Sequence, residues 1–372
     1  MSNQNLNIDF LNVEEERFSS LEEVTSHISV SADLNELDGD LSIVGTVTDF
    51  DSLEALLDSA RSQFDVVQRN GNLVLLNASQ LDVPYYLYWD DDFPVWFTTG
   101  RKTEDLPKTI DQYIQSQSHI GRLWISKTEM ESLRQSITQN YPNVLMTYFT
   151  ATRSKHSEVD AQRRPDFERT FQYYGKDALE TFNEVKYEYG VLPTNLKFQK
   201  SNEFKFRVTR RGVFTIKHGG LEEVLSVIQN SIERLQGVKD AIDSSAFSRQ
   251  ENKFVEGKTL AQSRPWAIQL ASSPTPQDVD RFRNGELQEW DFVLSEINES
   301  FDADTPHFRA KLRDKQTLGE TMVRSKGDTI RVYPREDTGI GQSVRLYEFV
   351  SDQIDPKSYA TIVDGSPRVG QV

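Results

Sequence analysis

The 372-residue chain contains no cysteine, which excludes disulfides, thiolate metal sites and cysteine nucleophiles. Histidine is scarce too. His27, His119, His156, His218 and His307 are scattered, and no two stand four apart as a metal-binding pair on a helix would. Long apolar runs are missing, Leu73 to Leu76 being typical of those present, so no segment suits a membrane-spanning helix. With no signal-peptide pattern at its start, the chain reads as a soluble, cytoplasmic protein without a membrane partner. Basic residues are almost absent from residues 1–60, where Arg17 stands against 14 acidic side chains.

That last shortage locates the charge. The net charge is -16, of which residues 1–60 contribute -13; the remaining residues hold 44 acidic and 41 basic side chains, or -3. The chain therefore reads as an acidic N-terminal region on a nearly neutral body. Its length allows two or three domains with real cores. The expected division is an acidic region over 1–60, a central α/β body over 61–237, a linker over 238–264 and a small C-terminal α+β domain over 265–372. The fold class expected is α+β and multidomain, with antiparallel-rich sheets and packed helices.

The body is organised around Glu203 to Leu235. Phe204, Phe206 and Val208 alternate with Lys205, Arg207 and Thr209, which predicts a strand with one apolar and one basic face. Arg210, Arg211 and Gly212 make a turn, and Val213 to His218 return as a second strand. Leu221, Val224, Leu225, Ile228, Ile232 and Leu235 then mark one buried helical face, worth a gross ~10–15 kcal/mol before chain entropy is subtracted. Hairpin and helix are expected to pack face to face, leaving the basic side chains outside.

Other stretches carry clear local signals. Asn70-Gly71 predicts a hairpin turn, and Ser126 with Glu129 has the spacing of a capping box. Arg122 to Ile125, the helix after it and Val144 to Thr150 suggest a parallel strand-helix-strand crossover. Thr152 to Arg164 reads as an exposed connection, and Ala178 to Tyr189 as a helix. Val95 to Thr98 before a helix faintly resembles Val213 to Thr215 before another. Beyond residue 264, strands are expected at Trp266 to Leu270, Gln288 to Leu294, His307 to Leu312 and Thr329 to Tyr333, with helices at Asp278 to Arg283 and Ser343 to Ile354.

The leading functional expectation is a non-enzymatic binding or regulatory protein. Residues 151–217 hold 14 basic and 9 acidic side chains, and the hairpin face offers Lys205, Arg207, Arg210, Arg211 and Lys217 to a nucleic acid or an acidic protein partner. A solvated outer sheet face produces the same pattern. In a third reading, the acidic arm makes the contact in a structural assembly.

One enzymatic pattern is present. Pro165-Asp166 followed by Glu184-Val185-Lys186 resembles the PD-(D/E)xK nucleases. That resemblance implies Mg²⁺ held by Asp166 and Glu184, with Lys186 orienting or activating water. The family needs Glu184 and Lys186 on a strand, whereas their surroundings predict a helix. No other cofactor is implied. Asp90-Asp91-Asp92 lacks the spaced ligands of a calcium loop and reads as a turn, as do Gly100 to Thr103, Gly219-Gly220 and Gly339 to Gly341.

Overall fold

The computed structural model describes residues 18–31, 40–153, 159–251, 259–283, 286–300 and 307–363. These fall into two compact units: one holds the described residues up to Ile114 with Arg122–Ile232, the other Gln115–Gly121 with the described residues from Glu233 onward. In chain order the elements are α1 (Leu21–Ser31), β1 (Leu41–Thr48), α2 (Leu53–Ala60), β2 (Phe64–Asn70), β3 (Leu73–Ala78), β4 (Val83–Tyr88), β5 (Val95–Thr98), α3 (Ile110–Ser116), β6 (Ile120–Arg122), α4 (Lys127–Asn140), β7 (Leu145–Arg153), β8 (Arg169–Tyr174), α5 (Ala178–Tyr189), β9 (Leu192–Lys200), β10 (Phe204–Thr209), β11 (Val213–His218) and α6 (Leu221–Asp243). They continue as β12 (Ala246–Glu251), β13 (Thr259–Arg264), β14 (Trp266–Gln269), α7 (Pro276–Arg283), α8 (Glu286–Glu289), β15 (Phe292–Ser300), β16 (His307–Asp314), β17 (Glu320–Lys326), β18 (Thr329–Pro334), α9 (Ile340–Gln353) and β19 (Tyr359–Ile362). The protein is α+β. Among the described residues no helix is long and apolar enough to cross a membrane.

In the first unit the sheet order is β2-β3-β4-β5-β1-β11-β10-β9-β7-β8, with antiparallel neighbours throughout. β1 is buried along its whole length, as a strand with a neighbour on each side and cover on both faces must be. β5 and β11, the two strands that resemble each other before a helix, pair with β1 from opposite sides. Ser126 caps α4 as its spacing predicts: its Oγ accepts from the Glu129 amide at 3.1 Å, and the Glu129 carboxylate accepts from the Ser126 amide at 2.7 Å. The hairpin of β10 and β11 forms as expected, and Leu221, Val224, Leu225, Ile228 and Leu235 of α6 are buried.

Several expectations need correction. No parallel crossover joins β6 to β7, because β7 pairs with β8 and β9, both antiparallel. Residues 123–125 are not strand; Ile125 instead donates its amide to the Arg210 carbonyl. The Asn70-Gly71 turn is shifted by one residue, since Asn70 pairs with Leu73 and the loop is Gly71-Asn72, with Gly71 at φ 62°. Gln288 to Leu294 is split between α8 and β15, with Asp291 at φ 64° making the break. Within 238–264 the chain completes α6 and then forms the hairpin of β12 and β13, of which residues 252–258 lie outside the described set.

The second unit has a sheet in the order β15-β16-β17-β18-β14-β19. Its α9 is buried nearly all round, polar side chains included. Arg345 is ion-paired with Asp314 at 2.7 Å and Glu348 with Arg234 at 2.5 Å, which neutralises charge that burial would otherwise make expensive. At the start of α9 the Ile340 amide donates to the Ser118 carbonyl at 3.0 Å. Gly339 is required there because a Cβ would lie 2.2 Å from that oxygen.

Candidate anion-binding face

Two adjacent rows of side chains cross the first sheet, and they are opposite in character. One runs Tyr86, Phe97, Ile43, Phe214, Val208, Leu196, Phe149 and Tyr173 from β4 to β8. All of these but Tyr173 are buried, and Phe149 meets Phe182 of α5 with ring centroids 5.3 Å apart. The next row lies on the other face and reads Tyr85, Thr98, Ser42, Thr215, Arg207, Lys197, Tyr148 and Tyr174. Directly paired residues share a face, so one pleat carries hydroxyls at its inner end and cations with aromatics at its outer end.

The outer half is open. Lys205, Arg207 and Thr209 of β10 are half-buried, as are Asn195, Lys197 and Gln199 of β9, and Tyr174 on the edge strand is 73% exposed. Cations lie over the rings: Arg207 over Tyr148 at 4.8 Å and Lys197 over Tyr174 at 5.7 Å. Arg207 Nε also donates to Asn195 Oδ1 at 2.8 Å, which fixes the guanidinium in place. Burial, then repulsion from Lys205, Lys217 and Arg207, holds the Lys197 ammonium below the ordinary lysine value. These four cations therefore share one field. Its acidic partner is Asp40, 2.9 Å from Lys217.

The hairpin tip is held and not free. Gly212 takes φ 61°, and a Cβ on it would lie 2.2 Å from the Leu123 carbonyl oxygen. Arg210 and Arg211 flank Trp124 at 5.8 and 6.0 Å, Arg210 Nε donates to the Ile125 carbonyl, and Arg122 Nη1 donates to the Arg211 carbonyl at 3.2 Å. Arg122 is ion-paired with Asp111, and burial followed by the Arg211 charge pushes its guanidinium down to about 10. Of the five side chains expected at the site, Lys205, Arg207 and Lys217 thus belong to the open field, whereas Arg210 and Arg211 brace the tip.

At the inner end, Tyr85 Oη is hydrogen-bonded to Thr109, and Thr98 Oγ1 donates to the Pro84 carbonyl at 2.7 Å. Ser42 Oγ and Thr215 Oγ1 are buried with no hydrogen-bond partner among the described residues. The same holds for Lys102 Nζ. Burial, and then the Arg207 and Arg122 charges, push the Lys102 ammonium down to about 8.

The nuclease pattern meets a different geometry. Glu184 and Lys186 lie on α5, Lys186 Nζ is 2.5 Å from Glu131 Oε1, and Asp166 is exposed in the connection between β7 and β8. With a helix where a strand is needed and the lysine engaged by a structural carboxylate, these residues do not fit a Mg²⁺ site of that kind. Among the described residues no three His, Asp or Glu side chains stand close enough to hold a metal ion. His156 lies outside the described residues. Asp90 to Asp92 form a turn closed by the Phe93 amide on the Asp90 carbonyl. Gly219 and Gly220, at φ 51° and 71°, lead into α6, where Glu223 accepts from Tyr141 Oη at 2.5 Å.

Sequence patterns alone do not single out Lys102, Arg122, Tyr148, Tyr174 or Lys197 as site residues. Lys197 is findable, since it alternates with Leu196 and Phe198 as Arg207 does with Phe206 and Val208. The others are joined to the site only by strand pairing. In comparison with known proteins, a family model described as AF_0896_M, family middle domain, matches residues 128–211. That stretch runs from α4 to the hairpin tip and includes Tyr148, Tyr174, Lys197, Lys205, Arg207, Arg210 and Arg211. The chain is also similar to a protein of Archaeoglobus fulgidus of uncharacterised function, 28% identical over 359 residues that cover 93% of this chain and 97% of that protein.

Proposed function

We propose that this protein is a non-enzymatic, single-stranded nucleic-acid-binding protein that uses the open face of β10, β9, β7 and β8. The observation that carries the reading is the row in which Arg207 and Lys197 are followed on the next two strands by Tyr148 and Tyr174, with each cation lying over one of the rings. Bases stack on aromatic side chains whatever their sequence, at ~1–3 kcal/mol each, while lysine and arginine neutralise the backbone. Lys205 and Lys217 extend the cationic field along the strands. A sheet face is a surface on which unpaired bases can be splayed, unlike the interior of a duplex.

The test is fluorescence anisotropy with oligo-dT and oligo-rU at 50 and 200 mM salt. Saturable binding that weakens at the higher salt is expected. Tyr148→Ala with Tyr174→Ala should lower affinity about tenfold or more, and Arg207→Ala with Lys197→Ala should lower it and flatten the salt dependence. Absence of saturable binding at 50 mM salt would exclude the reading. The Lys217 and Asp40 pair supports a second reading, in which carboxylates of a protein partner take the phosphates' place; an acidic peptide competing for the same face would then bind where oligonucleotides do not.

A further inference from the structure

We infer that Lys102, Ser42 and Thr215 form an enclosed oxyanion subsite at the inner end of the same face, which takes the terminal phosphate of a strand lying on the outer end. The inference rests on the strand-binding reading above and specifies which part of the strand enters the fold. Ser42 is 0% and Thr215 8% exposed, and they are directly paired across β1 and β11, so both Oγ atoms lie on one pleat. Neither hydroxyl has a hydrogen-bond partner among the described residues, although Thr98 beside them in the row is satisfied. A buried donor left unmet costs its full desolvation, so a fold that keeps two together points to a ligand that meets them.

Lys102 supplies the charge. Its ammonium is buried without a hydrogen-bond partner among the described residues and feels Arg207, the next residue in the row after Thr215. Arg122, the other charge acting on it, is already paired with Asp111, and Arg207 has the neutral Asn195. Every one of these groups is a hydrogen-bond donor or can act as one. What Lys102, Ser42, Thr215 and Arg207 lack in common, among the described residues, is an acceptor carrying negative charge. A phosphate monoester presents three free oxygens and between one and two negative charges at pH 7, more than an internal phosphodiester can offer in an enclosed place.

The experiment compares 5′-phosphorylated, 3′-phosphorylated and unphosphorylated oligo-dT by anisotropy, alongside thermal unfolding in a series of inorganic phosphate concentrations. Wild type, Lys102→Met and the double variant Ser42→Ala/Thr215→Val are used as full-length chains. The expected result is that one end-phosphorylated oligonucleotide binds about tenfold tighter than the unphosphorylated one, that inorganic phosphate raises the melting temperature saturably, and that both effects are lost in Lys102→Met. The double variant keeps the proposal open to refutation should Lys102→Met fail to fold. Oligonucleotides that bind equally well with and without end phosphate would overturn the subsite and leave the strand-binding face standing. If no oligonucleotide binds but inorganic phosphate stabilises wild type and not Lys102→Met, the oxyanion subsite holds and the strand reading falls. With neither response, both are overturned.

Discussion

Lys102 has no hydrogen-bond acceptor among the described residues, and this makes its titration visible in the stability of the whole first unit. Its folded value of about 8 lies below the ordinary 10.5, so between these values the unfolded chain binds more protons than the folded one. Stability then rises with pH across that window, and the penalty is fully present below about pH 8. Tyr85 and Tyr113, whose phenols are pushed up to about 12 chiefly by burial, act in the opposite sense above pH 10. Urea denaturation between pH 7.5 and 9.5 should therefore show a gain on the order of 1–3 kcal/mol in wild type. Lys102→Met should be flat over the same range; a flat wild type would remove the buried-ammonium argument. At this scale the sequence was partly legible. Lys205 and Arg207 announce themselves by alternating with Phe204, Phe206 and Val208, whereas Lys102 follows a glycine turn and is brought to Arg207 only by the pairing of β5, β1, β11 and β10. No local pattern encodes that meeting.

Among the elements, α9 and α6 differ in how much room they leave. Gly339→Ala places a methyl 2.2 Å from the Ser118 carbonyl oxygen, and should destabilise by about 2–4 kcal/mol as the segment over α9 shifts. Gly237 lies inside α6, where an added methyl group would meet nothing within 4 Å, so Gly237→Ala should stabilise by up to about 1 kcal/mol. Chemical denaturation of the two variants checks both signs at once. Arg345→Met would strand the Asp314 carboxylate in the core of the second unit and should destabilise by about 3 kcal/mol, less if Asp314→Asn is added. Most of the longer helices were legible because their apolar spacing survives any partner, whereas the four-residue α8 is too short to show one. The edge strand β8 was not, since Phe171 and Tyr173 face inward while Thr170, Gln172 and Tyr174 face out, and Arg169 and Gly175 blur both ends. β17 and β19 are short alternations with the same weakness, and Asp291 interrupts a run that reads as continuous strand.

For the molecule as a whole, charge is divided so that the acidic first 60 residues and the cationic sheet face belong to one chain. Asp40 already meets Lys217. Deleting residues 1–17, which carry Asp9 and Glu14 to Glu16, should raise oligonucleotide affinity several-fold at 50 mM salt and hardly at all at 300 mM, where screening shortens the reach of the field to about 6 Å. Equal affinity with and without the deletion at low salt would show that this acid does not compete for the face. The overall class was readable from composition and periodicity, because alternation and helical spacing are each set within a few residues. The sheet order was not, because it depends on contacts between strands far apart in the chain.

The hydrogen bond from Ile340 to Ser118 has a bearing on how the chain is made. Ser118 leaves the ribosome about 220 residues before the helix it caps, and the whole of Arg122–Ile232, synthesised in between, belongs to the other unit. The second unit therefore cannot close until nearly the whole polypeptide exists, and no single cut in the gene yields both halves intact. A fragment beginning at Glu233 would lack its own first segment. For a lineage that carries this arrangement, the two units are inherited as one piece of chain, and neither can be exchanged alone by recombination at one point.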